Sequence, residues 1–344
     1  MHKQMMNFAN GLEAKLEFLR RPENYPDRPQ QVDAIETHMS WVFLTERHAY
    51  KLKKPVRYDF LDFSTVEARQ ADCAAELSLN RRLAPDVYLG VVPLTLDAAG
   101  DLHLDGPGKA VDWLVQMRRL PSERMLDSLL QTGTVSAADI RRLALCLAGF
   151  YRTSPPLGMG AVAYRERLAH SVLDTWLALA EPAFGLAETQ VDAIHEAQLS
   201  FLTHHSALVE ARAARVVEGH GDLRPEHVCL EDAPVVIDCL EFEREFRLAD
   251  PADELAFLAL ECERLGAYEV GEAILAAYAV AANDAPATPL LDFYKSYRAC
   301  LRAKLAVWHT RDHEVPDHDK WLKRAREYLR LAEAHIGQAQ QAGA

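Results

Sequence analysis

The chain has 344 residues, 49% of them hydrophobic and 26% charged, which is enough for a large core in two domains or two lobes and too apolar for a mainly disordered protein. Basic residues number 38 against 51 acidic ones, and the formal charge of −13 argues against non-specific attraction to nucleic acid or to an anionic membrane. Met1–Arg21 lacks a continuous apolar run and no uncharged apolar stretch is long enough to span a bilayer, so a soluble cytoplasmic protein is expected.

In chain order, Gln31–Thr37, Trp41–Thr45 and Ala49–Lys54 read as short strands, the last two joined as a hairpin by Glu46-Arg47-His48. Ser64-Thr65-Val66-Glu67 has the pattern of a capping box and opens a helix to about Leu83, the one helix expected before residue 120. Tyr88–Leu96 and Val111–Leu120 are further strands around a loop at Asp97–Gly108. Ser136 caps a helix to Thr153, which Pro155-Pro156-Leu157-Gly158 ends. Helices are then expected at Tyr164–Leu179 and Glu188–Val209. Short β-like runs follow at Val216–Val217, Val228–Leu230 and Val235–Ile237, and helix returns from Pro251–Leu265 through three further segments to Gln338. Cys73, Cys146, Cys229, Cys239, Cys262 and Cys300 form no C-x-x-C pair and read as buried reduced thiols.

The chemistry concentrates in His220-Gly221-Asp222-Leu223-Arg224-Pro225-Glu226-His227, followed sixteen residues after Asp222 by Asp238 at the end of an apolar run. This segment resembles the H-G-D-x-x-x-x-N brace of the aminoglycoside-phosphotransferase and choline-kinase-like family, a branch of the protein-kinase fold. The resemblance extends over residues 30–310 to a bacterial group of uncharacterised phosphotransferase-like proteins through Tyr50–Val56, Phe60–Thr65, Asn80–Pro93 and Asp238-Cys239-Leu240-Glu241-Phe242. It implies an α+β, bilobal protein-kinase-like fold: a small antiparallel-sheet N-lobe with one helix (residues 1–117) and a large helical C-lobe (residues 118–344), with ATP in the cleft. Some relatives of that group append a P-loop ATPase domain; no G-x-x-x-x-G-K-[ST] occurs here, so a single nucleotide site is expected.

The implied reaction is transfer of the γ-phosphoryl group of ATP to a hydroxyl of a small-molecule acceptor, with Asp222 as catalytic base beside His220 and Asp238 as magnesium ligand. His48-Ala49-Tyr50-Lys51 has the shape of the family's V-A-I-K strand. Period two puts Ala49 and Lys51 on one face, Ala49 beside adenine and Lys51 reaching the phosphates, with Lys53 on the same face as the rival. Glu76 is the expected partner of the strand lysine, or else a solvated helix glutamate. Met117, Arg118 and Leu120 are the adenine-hinge candidates, Pro121 stiffens the exit, and Ser40 is a phosphate contact in place of a glycine-rich loop.

One departure from the pattern bears on the metal. His227 stands where the family has Asn, and magnesium prefers oxygen donors whereas imidazole suits softer metals. Mn²⁺ beside Mg²⁺, a compensating carboxylate from Glu241, or a single metal are the alternatives. The rival function is a degraded kinase-like nucleotide-binding or interaction module. His309, His313 and His318, separated by Asp312 and Pro316, read as a polar helix junction rather than a metal site, and Arg298 and Arg302 as one helical face that either meets the cleft or faces solvent.

Overall fold

The computed structural model describes residues 11–58, 61–311 and 317–341. Two compact units are present: one runs to Arg124 and takes in Val235–Glu245, and the other comprises Met125–Pro234 and the chain from Phe246 on.

The first unit is built on β1 (Asp33–Glu36), β2 (Ser40–Leu44), β3 (His48–Lys53), β6 (Tyr88–Leu96), β7 (Leu102–Leu104) and β8 (Lys109–Arg118). They form an antiparallel sheet in the order β1-β2-β3-β8-β6-β7, the expected sheet ahead of residue 120. A separate small pair is made by β4 (Arg57–Tyr58) and β5 (Leu61–Asp62). Register pairs Ala49 with Met117 and Lys51 with Val115. The loop expected at Asp97–Gly108 contains β7, because Leu102 and Leu104 pair with Leu96 and Leu94.

Among the described residues two helices flank this sheet where one was expected. Helix α1 (Leu12–Leu19) packs Leu16 and Leu19 into a core with Phe43, Leu52, Leu94 and Leu114. Its buried Lys15 bonds the Val111 carbonyl and Asp112, each at 2.8 Å. In a short stretch of mixed charge, only that partner in a distant strand marks it as structural. Helix α2 (Val66–Asn80) begins one residue later than the capping-box reading: Thr65 is the N-cap, accepting from the Ala68 amide at 3.1 Å, while Ser64 turns to Asp62.

The second unit is helical. It contains α3 (Leu126–Thr132), α4 (Ala137–Thr153), α5 (Ala161–Leu179), α6 (Glu188–His204), α7 (Ser206–Glu210), α8 (Pro251–Arg264), α9 (Tyr268–Ala282), α10 (Thr288–His309) and α11 (His318–Gln341). Ser136 and Asp139 form the capping box of α4. The segment expected as one helix to Val209 is interrupted at His205, whose φ of −111° and ψ of 27° leave the helical region. Its described residues include an apolar cluster around Phe201, Phe293 and Tyr294 and another around Phe257, Leu260, Val307 and Tyr328. Arg298 is not on a solvated face: it is buried and bidentate to Asp253 at 2.7 and 2.6 Å. His309 stacks on Trp321 at 4.0 Å, and His313 lies outside the described residues. The six cysteines are free, five buried and Cys146 partly so. No helix among the described residues is long and apolar enough to cross a membrane.

Candidate active site

In the first unit the sequence-predicted cationic and acidic residues converge. Alternation along β3 puts Lys51 and Lys53 on one face, and α2 presents Glu76 to both. Lys51 Nζ lies 3.0 Å from Glu76 Oε1 and 2.7 Å from Asp238 Oδ1. Burial opposes the charge on Lys51, but Asp238 and Glu76 hold its pKa well above the ordinary lysine value. Lys53 is 1% exposed and pairs with Glu76 Oε2 at 2.6 Å, with Asp72, and with Glu241. The oxygens of Asp72, Glu76 and Glu241 lie within 4.8 Å of one another, and the ammonium of Lys53 is the cation they share. The two lysines differ in their surroundings: Lys51 reaches the half-exposed Asp238, whereas Lys53 is the hub of a buried cluster.

Glu241, expected as a candidate metal ligand, pairs with Lys53. Its pKa is pushed up to about 7, first by burial and then by Glu76, against the pull of Lys53. Asp238 has a φ of 61°, uncommon for a non-glycine residue, and is held there by its neighbours. Its amide donates to the Tyr88 hydroxyl at 3.1 Å, and the Cys239 amide donates to Asn80 Oδ1 at 2.9 Å. The Asp238 side chain remains 45% exposed.

Ser40 is buried at the start of β2, its amide donating to Thr37 Oγ1 at 3.0 Å and its carbonyl accepting from the same hydroxyl at 2.9 Å. Met117 sits in the central strand β8, paired on both sides with Ala49 and Tyr88. The Arg118 amide donates to the Val87 carbonyl and the Arg119 amide to the Arg47 carbonyl, both at 2.8 Å, so Leu120 is the first backbone position past the sheet bonds.

In the second unit the loop after β9 (Val217–Glu218) is held by Glu254, in the first turn of α8. This helix starts at Asp250, whose side chain accepts from the Ala252 amide and is itself bound twice by Arg212. Glu254, 1% exposed, accepts the His220 amide at 2.9 and 3.0 Å, the Gly221 amide, and the Tyr151 hydroxyl at 2.8 Å. Gly221 takes a φ of 87°, and a Cβ on Gly219 would stand 2.1 Å from Glu254 Oε2. Gly221 thus takes a backbone conformation that favours glycine, and a side chain at Gly219 would have to displace the Glu254 carboxylate.

Asp222 follows, its amide donating to His220 Nδ1 at 3.3 Å and Oδ2 lying 2.9 Å from Arg224. Burial alone would raise its pKa, yet Arg224, His227 and Arg302 together hold the carboxyl below its ordinary value. His227 turns inward: Nδ1 donates to the Asp222 carbonyl at 2.8 Å, and Nε2 faces Arg224 Nη2 at 3.2 Å. In this arrangement both ring nitrogens are engaged within the loop. The sequence reading did not single out Glu254, Arg224, Asp72 or Tyr88. Glu254 reads along the chain as one of several acids at a helix N-terminus, and its partners lie 33 and 34 residues earlier.

No family model matches the chain. An uncharacterised protein of Mycobacterium tuberculosis is 34% identical over 287 residues, 80% of this chain and 54% of that protein, so the chain spans about half the length of the curated relatives it matches. A choline/ethanolamine kinase family protein from Mesorhizobium loti superposes with a TM-score of 0.55 at 15% identity, covering 95% of this chain and 99% of that one. A thermostable mutant of an aminoglycoside phosphotransferase, solved with AMP-PNP and hygromycin B, gives a TM-score of 0.52 at 12% identity over 92% of this chain and 97% of the other. At these identities the likeness is one of fold alone: the chain shares the protein-kinase-like fold of these two solved structures.

Proposed function

We propose that this protein is an ATP-dependent phosphotransferase that transfers the γ-phosphoryl group to a hydroxyl of a small-molecule acceptor. The observation that carries the reading is the ion set Lys51–Glu76–Asp238, combined in one chain with a Glu254-held loop whose Asp222 is kept ionised. A fold neighbour solved with AMP-PNP supports nucleotide use, and its second ligand, hygromycin B, supports a small-molecule acceptor.

In this reading Asp222 aligns the acceptor hydroxyl and takes its proton as the new O–P bond forms and the γ-phosphorus separates from the β–γ bridging oxygen, releasing ADP. A carboxylate held below its usual pKa is a weak base, so its contribution lies in positioning and in accepting the proton late. His220, buried behind the loop, keeps Asp222 in place through the Asp222 amide. Lys51, held by Glu76, binds the α/β-phosphates; Ser40 lies near the phosphate end, Met117 and Arg118 line the adenine side, and Leu120 supplies the backbone contact.

Asp238, an oxygen donor with a half-exposed side chain, fits a hard divalent cation. Mg²⁺, or Mn²⁺, held there would neutralise phosphate charge. The division of labour proposed is a nucleotide-binding N-lobe over residues 1–117 and a C-lobe carrying catalysis and acceptor binding over residues 118–344.

The test is a pooled-metabolite screen with ATP and Mg²⁺, read by the mass shift of one phosphoryl group. Asp222→Asn is expected to lower turnover by roughly 10²–10⁴ with ATP binding retained. Wild-type ATP binding with no turnover on any acceptor would replace this reading by that of a nucleotide-binding module.

A further inference from the structure

Asp238 presents its carboxylate from a backbone with a φ of 61°, a left-handed conformation that an aspartate keeps only where its surroundings hold it. Two buried side chains of the first unit do so. The Tyr88 hydroxyl accepts from the Asp238 amide at 3.1 Å, and Asn80 Oδ1 accepts from the Cys239 amide at 2.9 Å. These amides belong to the peptide planes on either side of the Asp238 Cα, so anchoring both fixes φ and ψ there and with them the direction of the side chain. The Asn80 amide group is itself oriented from its other end, because Nδ2 donates to the Glu76 carbonyl at 2.9 Å. Glu76 and Asn80 lie one turn apart on α2, so a single helix face holds Lys51 through the first and the backbone beside Asp238 through the second. Lys51 closes the circuit, 2.7 Å from Asp238 Oδ1.

We propose that Tyr88 and Asn80 are positioning residues for the divalent cation: neither touches it, and together they set the direction in which Asp238 offers its carboxylate. The inference rests on the phosphotransferase reading, in which Asp238 holds Mg²⁺, and adds what keeps that ligand in place. Removing either acceptor leaves a buried amide without the partner it has here. Residue 238 is then free to turn to the negative φ that L residues favour, which re-aims its Cβ and takes the carboxylate off Lys51. Lys51 keeps Glu76 as a partner, so the loss falls on metal-assisted binding and not on binding of the nucleotide alone.

The experiment measures ADP binding to the full chain by calorimetry, in Mg²⁺ and in EDTA, so that the ratio of the two affinities isolates the metal. Wild type is expected to bind ADP more tightly in Mg²⁺, and Asp238→Asn to lose that enhancement. Asparagine tolerates a left-handed backbone, so this control removes the charge and keeps the conformation. Tyr88→Phe and Asn80→Ala are each expected to reduce the enhancement about fivefold or more, and to raise the Mg²⁺ concentration that gives half of it, with affinity in EDTA unchanged. Tyr88→Phe removes one oxygen from a buried ring and keeps its packing; should Asn80→Ala not fold, Tyr88→Phe decides alone. An undiminished ratio in Tyr88→Phe overturns the proposal, and so does an equal loss of affinity in Mg²⁺ and in EDTA, which marks the tyrosine as structural only. In both cases Asp238→Asn still reports on the underlying reading. If wild type shows no magnesium effect, or Asp238→Asn keeps it, the metal role of Asp238 falls and the proposal with it.

Discussion

Replacing His227 by asparagine separates two roles for the residue that departs from the family pattern. The ring makes two bonds in a nearly buried setting, Nδ1 to the Asp222 carbonyl at 2.8 Å and Nε2 toward Arg224 at 3.2 Å. Asparagine is shorter and reaches one of these partners, not both. The bond lost leaves a loop group short of a partner, which costs about 1–3 kcal/mol. If that cost falls on the placement of Asp222, kcat/KM drops roughly 5- to 150-fold. ATP affinity through Lys51 should hold, and the ratio of Mg²⁺- to Mn²⁺-supported rates should not move. Initial rates for wild type and His227→Asn against both metals supply the answer. A gain of magnesium-supported activity, or a changed metal ratio, would refute the positioning argument and identify the imidazole as a metal ligand.

The two lysines of β3 should fail differently: Lys53→Met strands Asp72, Glu76 and Glu241 without their shared cation and is expected to cost about 3–5 kcal/mol in denaturant unfolding, whereas Lys51→Met should mainly weaken ATP binding. Equal stability losses would remove the distinction. Gly219→Ala drives a methyl into the Glu254 carboxylate and should lower the melting temperature or kcat, and an unperturbed variant would show that the loop relaxes. His335, buried between Asp292 at 3.1 Å and Glu263 at 2.8 Å, has a raised pKa: burial opposes protonation, but the two carboxylates outweigh it. The sign follows from linkage: its stabilisation is complete below the unfolded pKa of about 6.5 and is lost as pH rises through the higher folded value. Melting temperatures across that window should fall with pH in wild type and fall less in His335→Gln.

The sequence by itself determined what depends on neighbours along the chain. Period-two alternation located β1, β2, β3, β6 and β8, the Ser136–Asp139 capping box located the start of α4, and the ordered motifs from Tyr50 to Phe242 indicated the protein-kinase-like fold. Tertiary structure decided what depends on partners far apart in the chain. Lys51 and Asp238 are separated by 187 residues, Lys53 and Glu241 by 188, and Arg298 and Asp253 by 45. No local pattern distinguishes a lysine that reaches a half-exposed aspartate from one enclosed by three carboxylates two positions later, since both occupy the same face of β3. The short helix α1 was missed for the same reason: a few apolar residues among charges become structural only once a sheet lies beneath them and Asp112 receives Lys15. Hydrogen bonds and burial are properties of positions in space, and for Glu254 and His227 those positions are set by the packing of helices around the loop rather than by the residues beside them.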